Sequence, residues 1–285
     1  MKIDLTDINY IRGLMKSFDK SFSKSLGQNF LTNPAVLDDI ASAAGLDENS
    51  YVLEIGPGIG TLTRVLSDRA KKVVSVEIDS KLIPVLEYIL QGKDNVTVIN
   101  NDILKTDLPT LINEHFGGEK VSLVANLPYY ITTPIVLELI KHRDCFKSIT
   151  VMVQKEVAER MAATAGSKDY GSLSVHVQYY TKPEIMFIVP PDDFVPMPKV
   201  SSAVIRLDIL DSPSVSPKDE KMFFKVVRGA FALRRKTLVN SLSSAGYGIS
   251  KDKITEALSD LGIESNIRGE KLSLSQFKEL SDKLL

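Results

Sequence analysis

The chain has 285 residues, a formal net charge of −1, 44% hydrophobic and 25% charged residues. That composition excludes wholesale disorder and a wholly basic nucleic-acid binder, so any nucleic-acid contact must come from a local patch. The single cysteine, Cys145, excludes an intrachain disulfide and points to a reducing, cytoplasmic setting. The first residues carry no apolar leader core. The longest uncharged stretch, 121–137, is interrupted by Asn126, Pro128 and Pro134 and is too polar to span a bilayer.

Residues 1–30 read as a basic N-terminal arm. Arg12, Lys16, Lys20 and Lys24 recur four apart, which puts them on one face of a helix. Such a face is either merely solvated or contacts phosphates. Asn33 as N-cap, Pro34 in the first turn and Gly45 as a stop predict a helix over 34–44. β-Rich runs follow at 51–56, 72–78, 95–100, 121–126 and 148–154, with the clearest helical stretches at 61–70 and 80–90. Alternating strands and helices predict an α/β fold with a parallel sheet covered on both faces. Runs at 184–189 and 202–210, joined by the Pro-rich loop PPDDFVPMPK, read as an antiparallel pair closing one edge. Residues 211–220 have linker composition, and 221–285 read as several short helices. Between Lys221 and Lys236 stand six cations and no acid. These features divide the chain into 1–30, 31–212 and 213–285.

Two stretches carry chemistry. The first is EIGPGIGTLT at 54–63, after the first strand and opening a helix. Gly56, Gly58 and Gly60 allow a tight turn and a close backbone approach, and the helix N-terminus offers free N–H groups. Glu77 lies about 20 residues further on, at the end of the second strand, where a carboxylate holds ribose hydroxyls. Asp102, after the third strand, can reach an adenine amine. Thr61 stands where the dinucleotide fingerprint needs glycine, and Pro57 removes an N–H from the loop. An adenosine ligand without a pyrophosphate, such as S-adenosylmethionine, therefore suits the pattern better than NAD.

The second is Asn-Leu-Pro-Tyr-Tyr at 126–130, at the end of the fourth strand. An aromatic amine is a poor nucleophile because its lone pair is delocalised. Two acceptors on its N–H groups favour a pyramidal nitrogen and free that pair. The Asn126 side-chain oxygen can be one acceptor, and the carbonyl of Leu127 or Pro128 the other. Tyr129 can stack on the base, and Phe194 is a candidate for the opposite face, with plain packing as its alternative. Catalysis would then rest on positioning and electrostatics. His115, His142 and His176 are scattered without cysteine partners, so no metal is expected. A monomer without a membrane partner is the expectation.

The ordered set QNFL (28–31), EIGPGIGTLT, VEID (76–79), NLPYY, QKEVAER (154–160), YGSLSV (170–175), FVPMPKVSSAV (194–204) and RRKTLVNSL (234–242) resembles the KsgA (RsmA) ribosomal RNA small-subunit adenine N6,N6-dimethyltransferase family, over about residues 24–285. The resemblance implies a Rossmann-like class I S-adenosylmethionine-dependent methyltransferase sheet with a small all-helical C-terminal domain. It implies two methyl groups on N6 of each of two adjacent adenines, in the 3′-terminal hairpin loop of 16S rRNA, late in small-subunit assembly. It adds Asn29 and Leu31 to Gly56, Glu77, Asp102 and Asn126 as the cofactor site, gives Tyr129 the stacking role, and makes 213–285 a ribosome-docking domain. Tyr130 departs from the Asn of some members. Arg234, Arg235 and Lys236 are expected to bind RNA phosphates, together with the Arg12–Lys24 face. The rival readings are a large-subunit rRNA dimethyltransferase of the macrolide-resistance type, a protein that is chiefly an assembly factor, a DNA adenine methyltransferase and an NAD enzyme.

Overall fold

The structure is a computed structural model and describes residues 3–19 and 29–285. The chain forms two compact units, one of residues 1–158 with 184–209, the other of 159–183 with 210–285. Residues 159–183 thus group with the C-terminal helices, although their composition shows no break from the sheet region.

In the first unit, α1 (Ile8–Ser17) is capped by Asp7, whose carboxylate accepts from the Asn9 and Tyr10 N–H groups. It buries Ile11, Leu14 and Met15 against Ile59, Leu82, Val85, Leu86 and Ile89. Each such side chain contributes about 1.5–3 kcal/mol on full burial, which docks the helix on the core and leaves Arg12 and Lys16 exposed on its other face. Lys20 and Lys24 lie outside the described residues. Next come β1 (Phe30–Leu31) and α2 (Pro34–Ala43), capped by Asn33 as expected, its side chain accepting from the Ala35 N–H.

The main chain of the fold then alternates: β2 (Tyr51–Ile55), α3 (Thr61–Arg69), β3 (Lys72–Glu77), α4 (Ile83–Ile89), β4 (Val96–Asn100), α5 (Leu108–Phe116), β5 (Val121–Asn126), α6 (Thr132–Lys141), β6 (Phe146–Gln154) and α7 (Lys155–Ala162). The helix expected from residue 80 starts at Ile83 because Pro84 suits only a first turn. After α8 (Ser172–Tyr180) come β7 (Thr181–Val189), β8 (Phe194–Val195) and β9 (Ser202–Ile209). The seven-stranded sheet has the order β4-β3-β2-β5-β6-β9-β7. β4, β3, β2, β5 and β6 run parallel, and β9 is antiparallel to β6. β7 and β9 do close one edge. β2, β3 and β5 are almost wholly buried, as near-continuous apolar runs covered on both faces should be.

β1 and β8 form a separate antiparallel pair, with Phe30 opposite Val195 and Leu31 opposite Phe194. This short ladder fixes residues 29–31, and the Thr32 N–H bond to the Asp193 carbonyl extends it.

The second unit contains α8, α9 (Glu220–Ala232), α10 (Leu238–Ser243), α11 (Lys251–Asp260) and α12 (Leu274–Lys283). Phe223, Val227, Leu238, Leu242, Leu258 and Phe277 are fully or almost fully buried. The 211–218 stretch has no regular element, yet it is pinned: the Ser214 N–H donates to the Tyr179 carbonyl, and the Lys218 N–H to Asp282 Oδ1. Among the described residues no helix is long and apolar enough to cross a membrane.

Candidate functional site

The strand order places β3 and β4 on one side of β2 and β5 on the other. The connections therefore diverge between β2 and β5, and a crevice opens at the carboxyl ends of these strands. The cleft there holds about 1130 Å³ of empty space, its open mouth included, enough for a nucleoside-sized ligand. Its walls come from the ends of β2, β3, β4 and β5, with Asn29–Leu31 completing them.

The glycine loop forms the β2 side. Gly56 has φ +66°, and a Cβ added there would meet nothing within 4 Å, so it would project into open space on the cleft wall. Gly58 has φ +61°, and its Cβ would stand 2.9 Å from Phe30 Cε1. Both need glycine: Gly56 so that a ligand can approach, Gly58 so that the β1 segment can pack. Thr61, which opens α3, is on the cleft wall, and its buried Oγ1 has no partner among the described residues.

Three carboxylates line this cleft. Glu77, 4% exposed, accepts from the Gly58 N–H through Oε2 at 3.0 Å and from the Asp79 N–H through Oε1 at 2.8 Å. Burial raises its pKa, against the pull of those N–H groups. A carboxylate offers about four lone-pair positions, so each oxygen keeps roughly one acceptor position. Glu77 can thus take further hydrogen-bond donors from the cleft. Asp102 caps the turn after β4: Oδ1 accepts from the Leu104 N–H, while Oδ2 stands 3.8 Å from the exposed Lys105 ammonium.

Glu54 is the acid that sequence reasoning passed over. It is 1% exposed and lines the cleft. Its Oε2 accepts from Ser75 Oγ at 2.6 Å and Thr63 Oγ1 at 2.7 Å. Burial, reinforced by the charge of Glu77, pushes its pKa from 4.5 up to about 7. A charged residue inside the otherwise apolar strand YVLEI was the available signal. A titration difference follows. The unfolded chain loses this proton near pH 4.5, but the native protein holds it to about pH 7. Stability from this group is thus full below pH 4.5 and falls by roughly 3 kcal/mol as pH rises to 7. Glu54→Gln, which keeps an acceptor for Ser75 and Thr63, should lack that decline. Urea unfolding of both proteins from pH 4 to 8 measures it, and parallel pH profiles would show that Glu54 titrates normally.

The β5 side is the Asn-Leu-Pro-Tyr-Tyr loop. The Asn126 Nδ2 donates to the Asn29 carbonyl at 3.3 Å, which orients the amide and leaves Oδ1 as its acceptor end. The Leu127 N–H is tied to the Met152 carbonyl at 3.0 Å. The Pro128 carbonyl already accepts from the Ile131 N–H at 3.2 Å and Thr132 Oγ1 at 3.1 Å. Both its lone pairs are used, which favours the Leu127 carbonyl of the two expected acceptors. Tyr129 is half-buried and its hydroxyl is 2.6 Å from Ser202 Oγ. Burial raises its pKa, so it stays a neutral phenol.

The structure therefore brings Asn29, Leu31, Gly56, Glu77, Asp102, Asn126, Leu127, Pro128 and Tyr129 to one cleft. Phe194 is a correction. It is 2% exposed, lies in the apolar core with Leu31 and Val204, and is not on the cleft wall. Pairing of β8 with β1 turns the ring inward, so packing is its role here. Arg234 is held by groups of its own unit, although its side chain stays 48% exposed. Its guanidinium donates to the Lys168 and Tyr170 carbonyls and lies 3.5 Å from Glu270. Arg235 and Lys236 are exposed, as are Lys221, Lys225 and Arg228 along one face of α9.

A doubly wound sheet with a glycine loop, a buried acid ending β3 and an amide–carbonyl pair at the end of β5 defines a Rossmann-like methyltransferase. The family model for ribosomal RNA adenine dimethylases matches residues 19–284, and the chain belongs to that family. It is 48% identical over 95% of its length to the ribosomal RNA small subunit methyltransferase A of Alkaliphilus oremlandii, covering 94% of that protein. It is 51% identical over 92% of its length to the protein of the same name from Lachnoclostridium phytofermentans, covering 91% of it. Among solved structures, a dimethyladenosine transferase from Plasmodium falciparum superposes with TM-score 0.73 at 30% identity, over 88% of this chain and 95% of that one. The 23S rRNA methyltransferase ErmE superposes with TM-score 0.69 at 28% identity, over 89% and 98%.

Proposed function

We propose that this protein dimethylates N6 of two adjacent adenines in the 3′-terminal hairpin loop of 16S rRNA, on the immature small ribosomal subunit in the cytoplasm, with S-adenosylmethionine as methyl donor. The observation that carries this reading is the oriented Asn126 amide. Its Oδ1 and the neighbouring Leu127 carbonyl are two acceptors beside a nucleoside-sized cleft.

The cleft suits the donor. Glu77 has two lone-pair positions left for the ribose, Asp102 can accept from the adenine amine, and Gly56 leaves room for the methionine part beside Asn29 and Leu31. When bound, S-adenosylmethionine supplies an electrophilic methyl group. Asn126 Oδ1 and the Leu127 carbonyl would accept the two N6–H bonds of the target adenine and favour the pyramidal nitrogen that attacks. Tyr129, held through Ser202, would stack on the base. An adenine must leave its stack to reach this point, which a single-stranded loop allows at low cost. Phosphate contacts fall to Arg235 and Lys236, the exposed cations of α9, and Arg12 and Lys16 on α1. The names of the relatives at 48–51% identity favour the small subunit over the large.

The test is transfer of labelled methyl from S-adenosylmethionine to unmethylated small subunits, with mature small subunits and large subunits as controls. Nuclease digestion should release the label as N6-dimethyladenosine from the unmethylated small subunit alone. Label on the large subunit, or none on either, would overturn the proposal.

A further inference from the structure

Two consecutive tyrosines end the β5 loop, and the structure treats them differently. Tyr129 is half-buried and tethered to Ser202. Tyr130 is 58% exposed, although it lines the same cleft. Its backbone is not free to carry the ring away. It sits in the short 3₁₀ turn Tyr129–Ile131, closed by the Ile131 N–H on the Pro128 carbonyl. The flanking Leu127 and Thr132 are 1% and 2% exposed and anchor the turn at both sides. The ring is therefore an aromatic surface on an anchored backbone at the cleft wall, and folding leaves it largely uncovered.

We propose that Tyr130 is the stacking platform for the base next to the adenine being methylated, and thus a specificity residue for the RNA loop. This rests on the reading of the cleft given above. With one adenine at Asn126 and stacked on Tyr129, the chain of the loop must leave the cleft past the following residue of the same turn. The adjacent base has then lost its own neighbour in the stack, and an exposed aromatic face is the group that replaces it without reading its edge. Among the described residues, the other large apolar group exposed on this wall, Ile78, follows Glu77 directly and so belongs to the cofactor half.

The test is initial-rate kinetics on unmethylated small subunits at saturating S-adenosylmethionine. Tyr130→Ala should raise KM for the subunit about 5- to 150-fold, the range of one base–aromatic stack, with kcat little changed. Tyr130→Phe should keep the wild-type KM, and Tyr130→Leu, apolar but not planar, should behave like the alanine variant. Calorimetric binding of S-adenosylmethionine should be the same in all four proteins. An unchanged KM in Tyr130→Ala, a leucine variant as good as phenylalanine, or weakened S-adenosylmethionine binding would each overturn the proposal. Wild-type protein that labels no small subunit would instead refute the underlying reading, before any variant is compared.

Discussion

Replacing Asn126 with alanine is expected to slow methyl transfer by about 100- to 1000-fold, the usual loss when one preorganised group facing the developing charge is removed. The magnitude follows from the geometry. The Asn126 amide is already oriented by the Asn29 carbonyl, so its Oδ1 needs no reorganisation when an adenine amine arrives. Alanine removes that acceptor and leaves the nitrogen's lone pair in the ring. Aspartate is no substitute, because a carboxylate cannot donate to the Asn29 carbonyl and would be repelled by it. Single-turnover transfer to unmethylated small subunits at saturating cofactor measures the step. Particle binding, followed by sedimentation, should persist. A transfer rate within about 10-fold of wild type would remove Asn126 from the chemistry. Normal subunit maturation with the inactive variant would show that binding, rather than methylation, is the protein's main contribution.

The second large effect is expected at Glu77. Its partners are backbone N–H donors, with Gly58 on one oxygen and Asp79 on the other. Glutamine has a single acceptor oxygen, so Glu77→Gln must set its own NH₂ against either the Gly58 or the Asp79 N–H. It also forfeits a lone pair meant for a ribose hydroxyl. Hydrogen bonds to a charged group contribute about 1.5–3 kcal/mol each, so S-adenosylmethionine affinity should fall roughly 10- to 150-fold. Calorimetric titration without RNA isolates that effect. Unchanged affinity would place the ribose elsewhere, and the transfer rate at saturating cofactor should suffer far less than in the Asn126 variant.

The sequence by itself determined the order of strands and helices, the Asn33 cap, the left-handed glycines and the acids after β3 and β4. All of these are written in residues a few positions apart, where spacing and backbone preference act directly. Tertiary structure decided the rest. Phe194 turns inward because residues 30–31, more than 160 positions earlier, pair with its strand, and a two-residue ladder leaves no periodicity to read. Arg234 looks like one more cation in a basic run, yet carbonyls from Lys168 and Tyr170 claim it. Composition reports charge, not which backbone carbonyls a guanidinium also reaches. The Pro128 carbonyl is spent on Ile131 and Thr132, leaving the Leu127 carbonyl as the acceptor, a choice the motif alone left open. Glu54 gains its raised pKa only because the sheet buries it beside Glu77. For Phe194, Arg234 and Glu54 the deciding partners are distant in sequence, and for Pro128 the choice depends on how the turn closes, which spacing alone does not show.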